Sequence, residues 1–259
     1  MAGVSNAPDP KAIGDDLLIL FPRNARPTMR QVRAHDEITK LADSLGPDLV
    51  HYDREVDFAP PDGLALQSAG LGFDLVGLAP GPAIPIPDIG DGDARERAAM
   101  RTAAQASSLR LGPHIAAGGR DLFVLREWFG LAHRIARVFG ASSICWVPGA
   151  VVIGRDRLTE TLRAWDGRGE VPVALLASFR PTLDGAIQSH GLAHFTGQEF
   201  RIEQQLAEGE GGEALARLIF AHLFYSGRQE QTGELASPQG YSLRLEPSAN
   251  GRFVRVWPG

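Results

Sequence analysis

The chain has 259 residues, 44% hydrophobic and 22% charged, enough to bury a full core in an ordinary soluble globular protein. A formal net charge of −5 argues against a general nucleic-acid binder, which needs a concentrated basic face. The single cysteine, Cys145, excludes an internal disulfide and a thiolate metal cluster.

Residues 1–15 have no apolar core and carry Pro8, Pro10 and several acids, so they are expected to be a disordered lead-in and no secretory signal. No apolar run reaches the roughly 20 residues of a membrane helix. The expectation is a cytoplasmic protein without a membrane partner. "DLLILF" is a fully apolar run stopped by Pro22, which suits a buried strand. Thr28 and Gln31 form a T-x-x-Q capping box; behind it Ala34, Ile38, Leu41 and Leu45 make one stripe, which predicts a helix over 28–45. "DLVHYDREVDF" follows as a strand candidate. "GFDLVGLAPGPAIPIPD" starts as a strand and passes into a proline-rich loop.

The composition of "GDGDARERAAMRTAAQASS" predicts a surface helix. A longer helix opens near Asp121 and spans 120–139, burying Leu125, Trp128, Phe129, Ala132, Ile135 and Phe139. Arg126, His133, Arg134 and Arg137 occupy its other side, and Gly140 ends it. "SSICWVPGAVVI" reads as one strand broken at Pro148-Gly149, or as two. "RDRLTETLRAW" is a short helix, and "VPVALLASF" a strand. "GGEALARLIFAHLFYSG" is apolar nearly all round and predicts a buried helix over 211–226. The strictly alternating "YSLRLEP" and "GRFVRVWP" flank an Asn-Gly turn and predict a closing hairpin. Together these predict an α+β fold with mixed or antiparallel sheets packed on helices. The natural division lies between 16–168 and 169–259, with the halves able to share one core.

No motif names a reaction. In "SHGLAHFTGQEFRIE", residues 189–203, His190 and His194 stand four apart, with Glu199 behind. Gly191 occupies the place where a metalloprotease helix needs glutamate. On a strand the two rings would lie about 13 Å apart, too far to share an ion whose ligands sit about 2 Å away. The segment is therefore expected to be strand, turn and strand, and no metal or cofactor is expected. Asp88, Asp91, Asp93 and Glu96 miss the calcium-loop register and read as an acidic loop capping a helix. Cys145 beside Trp146 reads as a buried structural residue. Glycine-rich "EGEGGEAL" lacks G-K-[ST] and carries Glu208 and Glu210, which would repel a phosphate.

Two residue sets are left as candidates. Catalytic groups assembled only in three dimensions could come from His114, His190, His194 and Glu199. An interaction face could come from Arg244, Arg252, Arg255 and Trp257 on the terminal hairpin, since arginine and tryptophan favour interface hot spots and an edge strand can pair with another chain.

The C-terminal third resembles a bacterial family described only as domain of unknown function 4261. The resemblance rests on Gly191, Leu192, Phe195, Glu199 and Ile202, with Thr196 where that family's glycine stands. "PIPD" and "ICWVPG" extend it over residues 73–257. It implies an architecture, and no reaction, cofactor or binding residue. Families of this kind stand in settings such as toxin–immunity pairs or secretion. The leading reading is a non-enzymatic soluble protein acting through a protein partner. The alternatives are an enzyme with a dispersed His and acid site, and a small-ligand domain using a groove between the halves.

Overall fold

The computed structural model describes residues 16–35, 37–38, 63–87, 89, 105–208, 211–237 and 239–259. The expected lead-in, the strand candidate at 48–58, most of the helix expected at 28–45 and the acidic loop fall outside these residues. The fold is α+β, with two mostly antiparallel six-stranded sheets and helices packed on them. No helix among the described residues is long and apolar enough to cross a membrane.

The first sheet has the order β2 (Gly63–Ser68), β3 (Leu71–Val76), β4 (Gln105–Leu111), β1 (Leu17–Phe21), β5 (Ser143–Trp146), β6 (Val151–Gly154). Its centre is "LLILF", buried at every position because both faces of the sheet are covered. Leu17, Ile19 and Phe21 face the main core. Leu18, Leu20 and Cys145 face a second apolar layer closed by Ile84, Ile86 and Ile89 of the proline-rich segment. Helix α1 (Met29–Arg33) begins at the predicted capping box, with Thr28 and Gln31 each bonded to the other's backbone N–H. Helix α2 (Leu122–Val138) lies across the core face. Asp121 caps it by accepting from Phe123 N and Val124 N, and Trp128 donates its indole N–H to the Leu109 carbonyl at 2.8 Å.

Helix α3 (Arg155–Arg168) leaves β6, packs on α2 and stops at Gly169, whose φ of 68° is left-handed. The second sheet has the order β10 (Gly233–Ala236), β11 (Ser242–Pro247), β12 (Phe253–Pro258), β9 (Glu199–Ile202), β8 (Ile187–His190), β7 (Ser178–Pro181). Around it stand α4 (Val173–Leu176), α5 (Leu192–Thr196), α6 (Gln204–Ala207) and α7 (Gly212–Ser226). One continuous cluster of buried apolar residues joins Leu17, Trp128 and Trp146 of the first half to Phe200, Phe220 and Val256 of the second. At the junction three backbones touch. A Cβ at Gly149 or at Gly191 would stand 2.3 Å from the Leu176 carbonyl oxygen.

Several expectations are corrected. Residues 90–104 of the surface helix expected at 90–108 lie outside the described residues, and its last four, 105–108, begin the strand Gln105–Leu111, because small Ala106, Ser107 and Ser108 fill a slot between β3 and β1 that buries both faces. Val173–Leu176 is a turn of helix, where a strand was expected; so short an apolar run has no period to distinguish the two. β2 was not foreseen. Residues 189–203 form the end of β8, the one-turn helix α5 and β9, so the two histidines share neither a strand nor a helix. Gly191 and Gly197, with φ of 114° and 77°, bracket α5 and leave its interior free of glycine. The terminal hairpin forms as predicted but is no free edge: β12 pairs with β11 on one side and runs parallel to β9 on the other.

Candidate functional site

The residues singled out by sequence occupy separate structural positions. Glu199 reaches back from β9 to the start of α5. One carboxylate oxygen accepts from Gly191 N at 2.8 Å and Ala193 N at 3.1 Å. The other accepts from the Ser189 hydroxyl at 2.6 Å and Leu192 N at 3.3 Å. Burial pushes its pKa up, and these four donors pull it part of the way back. The carboxylate is thus committed to closing the helix. His194 rides on α5 and packs edge-on against Trp146, at 5.2 Å between ring centroids, and against Phe195, at 4.8 Å. Its Nε2 lies 3.4 Å from the Gly119 carbonyl, so it stitches the second half to the first. His190 ends β8 opposite Ser178, half-buried, its pKa lowered by burial and by Arg180.

His114 stands over Gly72, where a Cβ would come within 2.5 Å of its ring. Beside it Asp74 is raised by burial while His114 and Arg110 pull it down, and Arg110 grips Asp16 with two bonds of 2.9 Å. Among the described residues no group of three or more histidines, cysteines or acids is placed to hold a metal ion.

The hairpin residues are largely occupied by one another. Arg255 donates to Glu203 at 2.7 Å and lies 4.3 Å over the Trp257 ring. Arg244 is 3.6 Å from Glu246, and the backbone of Arg252 bonds Asn250 and Glu199.

A cluster of arginines lies elsewhere, in a groove of about 740 Å³ between α2 and α3. Arg126, Gly130, His133, Arg134 and Arg137 line it from α2, spaced so that they share one helical face. Thr159, Leu162, Arg163 and Asp166 line it from α3 at the same spacing. Four guanidinium groups thus meet Glu127 and Asp166 within the groove, Arg126 standing 3.9 Å from Asp166, and Arg137 also pairs with Glu37. Arg134 is positioned from below. It donates to Ser68 Oγ at 2.8 Å, Ser68 donates to Glu127 at 2.9 Å, and the Nε of Arg134 is buried with no hydrogen-bond partner among the described residues. Burial lowers the pKa of Arg134, and Glu127 partly restores it.

His133 records the resulting field. Its pKa is lowered by burial first, then by Arg137, Arg134, Arg155 and Arg163. Thr159 uses its hydroxyl proton on the Arg155 carbonyl at 2.9 Å. The 2.8 Å contact between His133 Nε2 and Thr159 Oγ1 is therefore donated by the histidine, which assigns the neutral ring's proton to Nε2. A neutral histidine under four arginines makes this groove an anion-seeking surface on a chain that is acidic overall.

Sequence reading placed Arg126, His133, Arg134 and Arg137 on the polar side of one helix without making them a site. The signal was available in the matching period of Thr159, Arg163 and Asp166, but only packing shows that the two stripes meet. No family model, no curated protein and no solved structure matches this chain.

Proposed function

We propose that this chain is a non-enzymatic protein that works through a protein partner, and that the partner lays an acidic segment into the α2–α3 groove. The observation that carries this reading is the groove itself, in which Arg126, Arg134 and Arg137 of α2 and Arg163 of α3 line one cavity of about 740 Å³. Such a surface steers a negatively charged partner and suppresses like-charged ones. Two carboxylates within the groove and a net charge of −5 favour an acidic polypeptide over the uniform phosphate backbone of a nucleic acid. The resemblance of residues 73–257 to the domain of unknown function family, and with it a bacterial cytoplasmic setting such as a toxin–immunity pair, belongs to the same proposal.

The test is a fluorescence-anisotropy titration with a short glutamate-rich peptide. The parent protein binds it, and the double substitution Arg126→Glu, Arg163→Glu at exposed groove positions weakens binding by at least about tenfold. Equal binding by both proteins, or tighter binding of a single-stranded oligonucleotide than of the peptide, contradicts the reading.

A further inference from the structure

The two sheets end side by side, β6 being the free edge of the first and β7 that of the second. They are tied where the Ser178 hydroxyl donates to the Gly149 carbonyl at 2.8 Å. Beyond that tie both edges line one cavity of about 480 Å³, within the size range of small-ligand sites. About half of its wall is apolar, including Val151, Ile153, Val173, Ala177, Phe179 and Ile187. Three arginines also line it, Arg157, Arg180 and Arg217, with Glu213 as the only acid among the described residues. Glu213 already accepts from Arg217 at 2.7 Å.

Arg180 is the unusual member. Its Nε and Nη2 are both shielded from water and meet no hydrogen-bond partner among the described residues. His190 offers it no counter-charge, since burial first and Arg180 second lower the pKa of that base. Buried polar groups in proteins are almost always partnered, and a guanidinium presents Nε–H and Nη2–H in a fork that matches the two oxygens of a carboxylate. The geometry points to a ligand site here for a small organic anion, a carboxylate on an apolar body lying between the β6 and β7 edges, for which the Arg180 guanidinium turns its shielded fork into the cavity to take the head. This site is separate from the α2–α3 groove and does not depend on what that groove binds.

The experiment is thermal unfolding and calorimetric titration of the full chain with octanoate, beside acetate as the head without the tail and octanol as the tail without the head. Octanoate raises Tm by on the order of 5–10 °C at a hundredfold excess over Kd, while acetate and octanol do not. Arg180→Met keeps a native spectrum and loses affinity for octanoate by about tenfold or more. If that variant does not fold, Arg180→Lys, which keeps the charge and loses the fork, gives the same loss. Arg134→Gln in the α2–α3 groove leaves octanoate binding unchanged. Octanoate without effect on the parent, octanoate binding equally to Arg180→Met or Arg180→Lys, or acetate or octanol matching octanoate each overturns the proposal.

Discussion

Replacing Glu199 with alanine tests the account of the 189–203 segment at its centre. The substitution removes the acceptor for Gly191 N, Leu192 N and Ala193 N, and for the Ser189 hydroxyl. Ser189 keeps a fallback in the Phe200 carbonyl at 3.3 Å, and the Leu192 bond is long. The cost therefore rests mainly on two orphaned backbone donors, at roughly 1.5 kcal/mol each, or about 3 kcal/mol in all. For a chain of this size that is a fall in Tm of roughly 6–12 °C. Glu199→Gln retains one acceptor oxygen and loses about half as much. Urea unfolding followed by tryptophan fluorescence is the suitable assay, because Trp146 lies against His194 of the same helix. A Glu199→Ala protein within about 0.5 kcal/mol of the parent would refute the capping role and leave the carboxylate free for chemistry.

Two further outcomes follow from the same geometry. Because His133 is held below the ordinary histidine pKa, the native state binds fewer protons than the unfolded chain between its folded value and about 6.5, so its contribution to stability is present above the unfolded value and is lost as pH falls through the folded one. His190 acts in the same direction, so His133→Asn shallows the fall of urea stability as pH drops below about 6.5 without removing it; an unchanged slope contradicts the assignment. Gly191→Ala places a Cβ 2.3 Å from the Leu176 carbonyl at a φ of 114° and costs about 4 kcal/mol or more, seen as loss of folded protein. Gly169→Ala, left-handed but facing open space, costs only about 1–2 kcal/mol in the same denaturation assay.

Which features could be read from the chain follows from what carries each signal. "LLILF", α2, α7 and the terminal hairpin were legible because an apolar run, a 3.6-residue stripe or strict alternation is a local property. Gln105–Leu111 was not, because its alanine and serines become strand residues only when β1 and β3 close on either side. Glu199 lay in plain view, yet its role depends on a carboxylate reaching back across a strand to a helix start that precedes it, a pairing with no period. The same holds for the parallel pairing of β9 with β12, which turns the hairpin from an edge into the middle of a sheet. The groove sits between these cases. Each helix shows its polar stripe in sequence, whereas only packing adds Arg155 and Arg163 of α3 to the Arg137 and Arg134 that His133 already meets on its own helix.

These placements connect the fold to the proposed role. The core below fixes α2 against β1, β3, β4 and β5 of the first sheet and α3 against α2 and β6. The groove is therefore carried on rigid helices, with Arg134 braced through Ser68 of β2. A partner gains from such a surface because its acidic groups meet arginines already held in place.

The most direct measurement of the central claim is the ionic-strength dependence of glutamate-rich peptide binding to the parent and to the Arg126→Glu, Arg163→Glu protein. An arginine-lined groove predicts that affinity for the parent falls steeply as salt rises, and that the substituted protein binds weakly with a flat salt response. Affinity independent of salt, or a salt response shared equally by both proteins, would contradict the groove as the site of partner recognition.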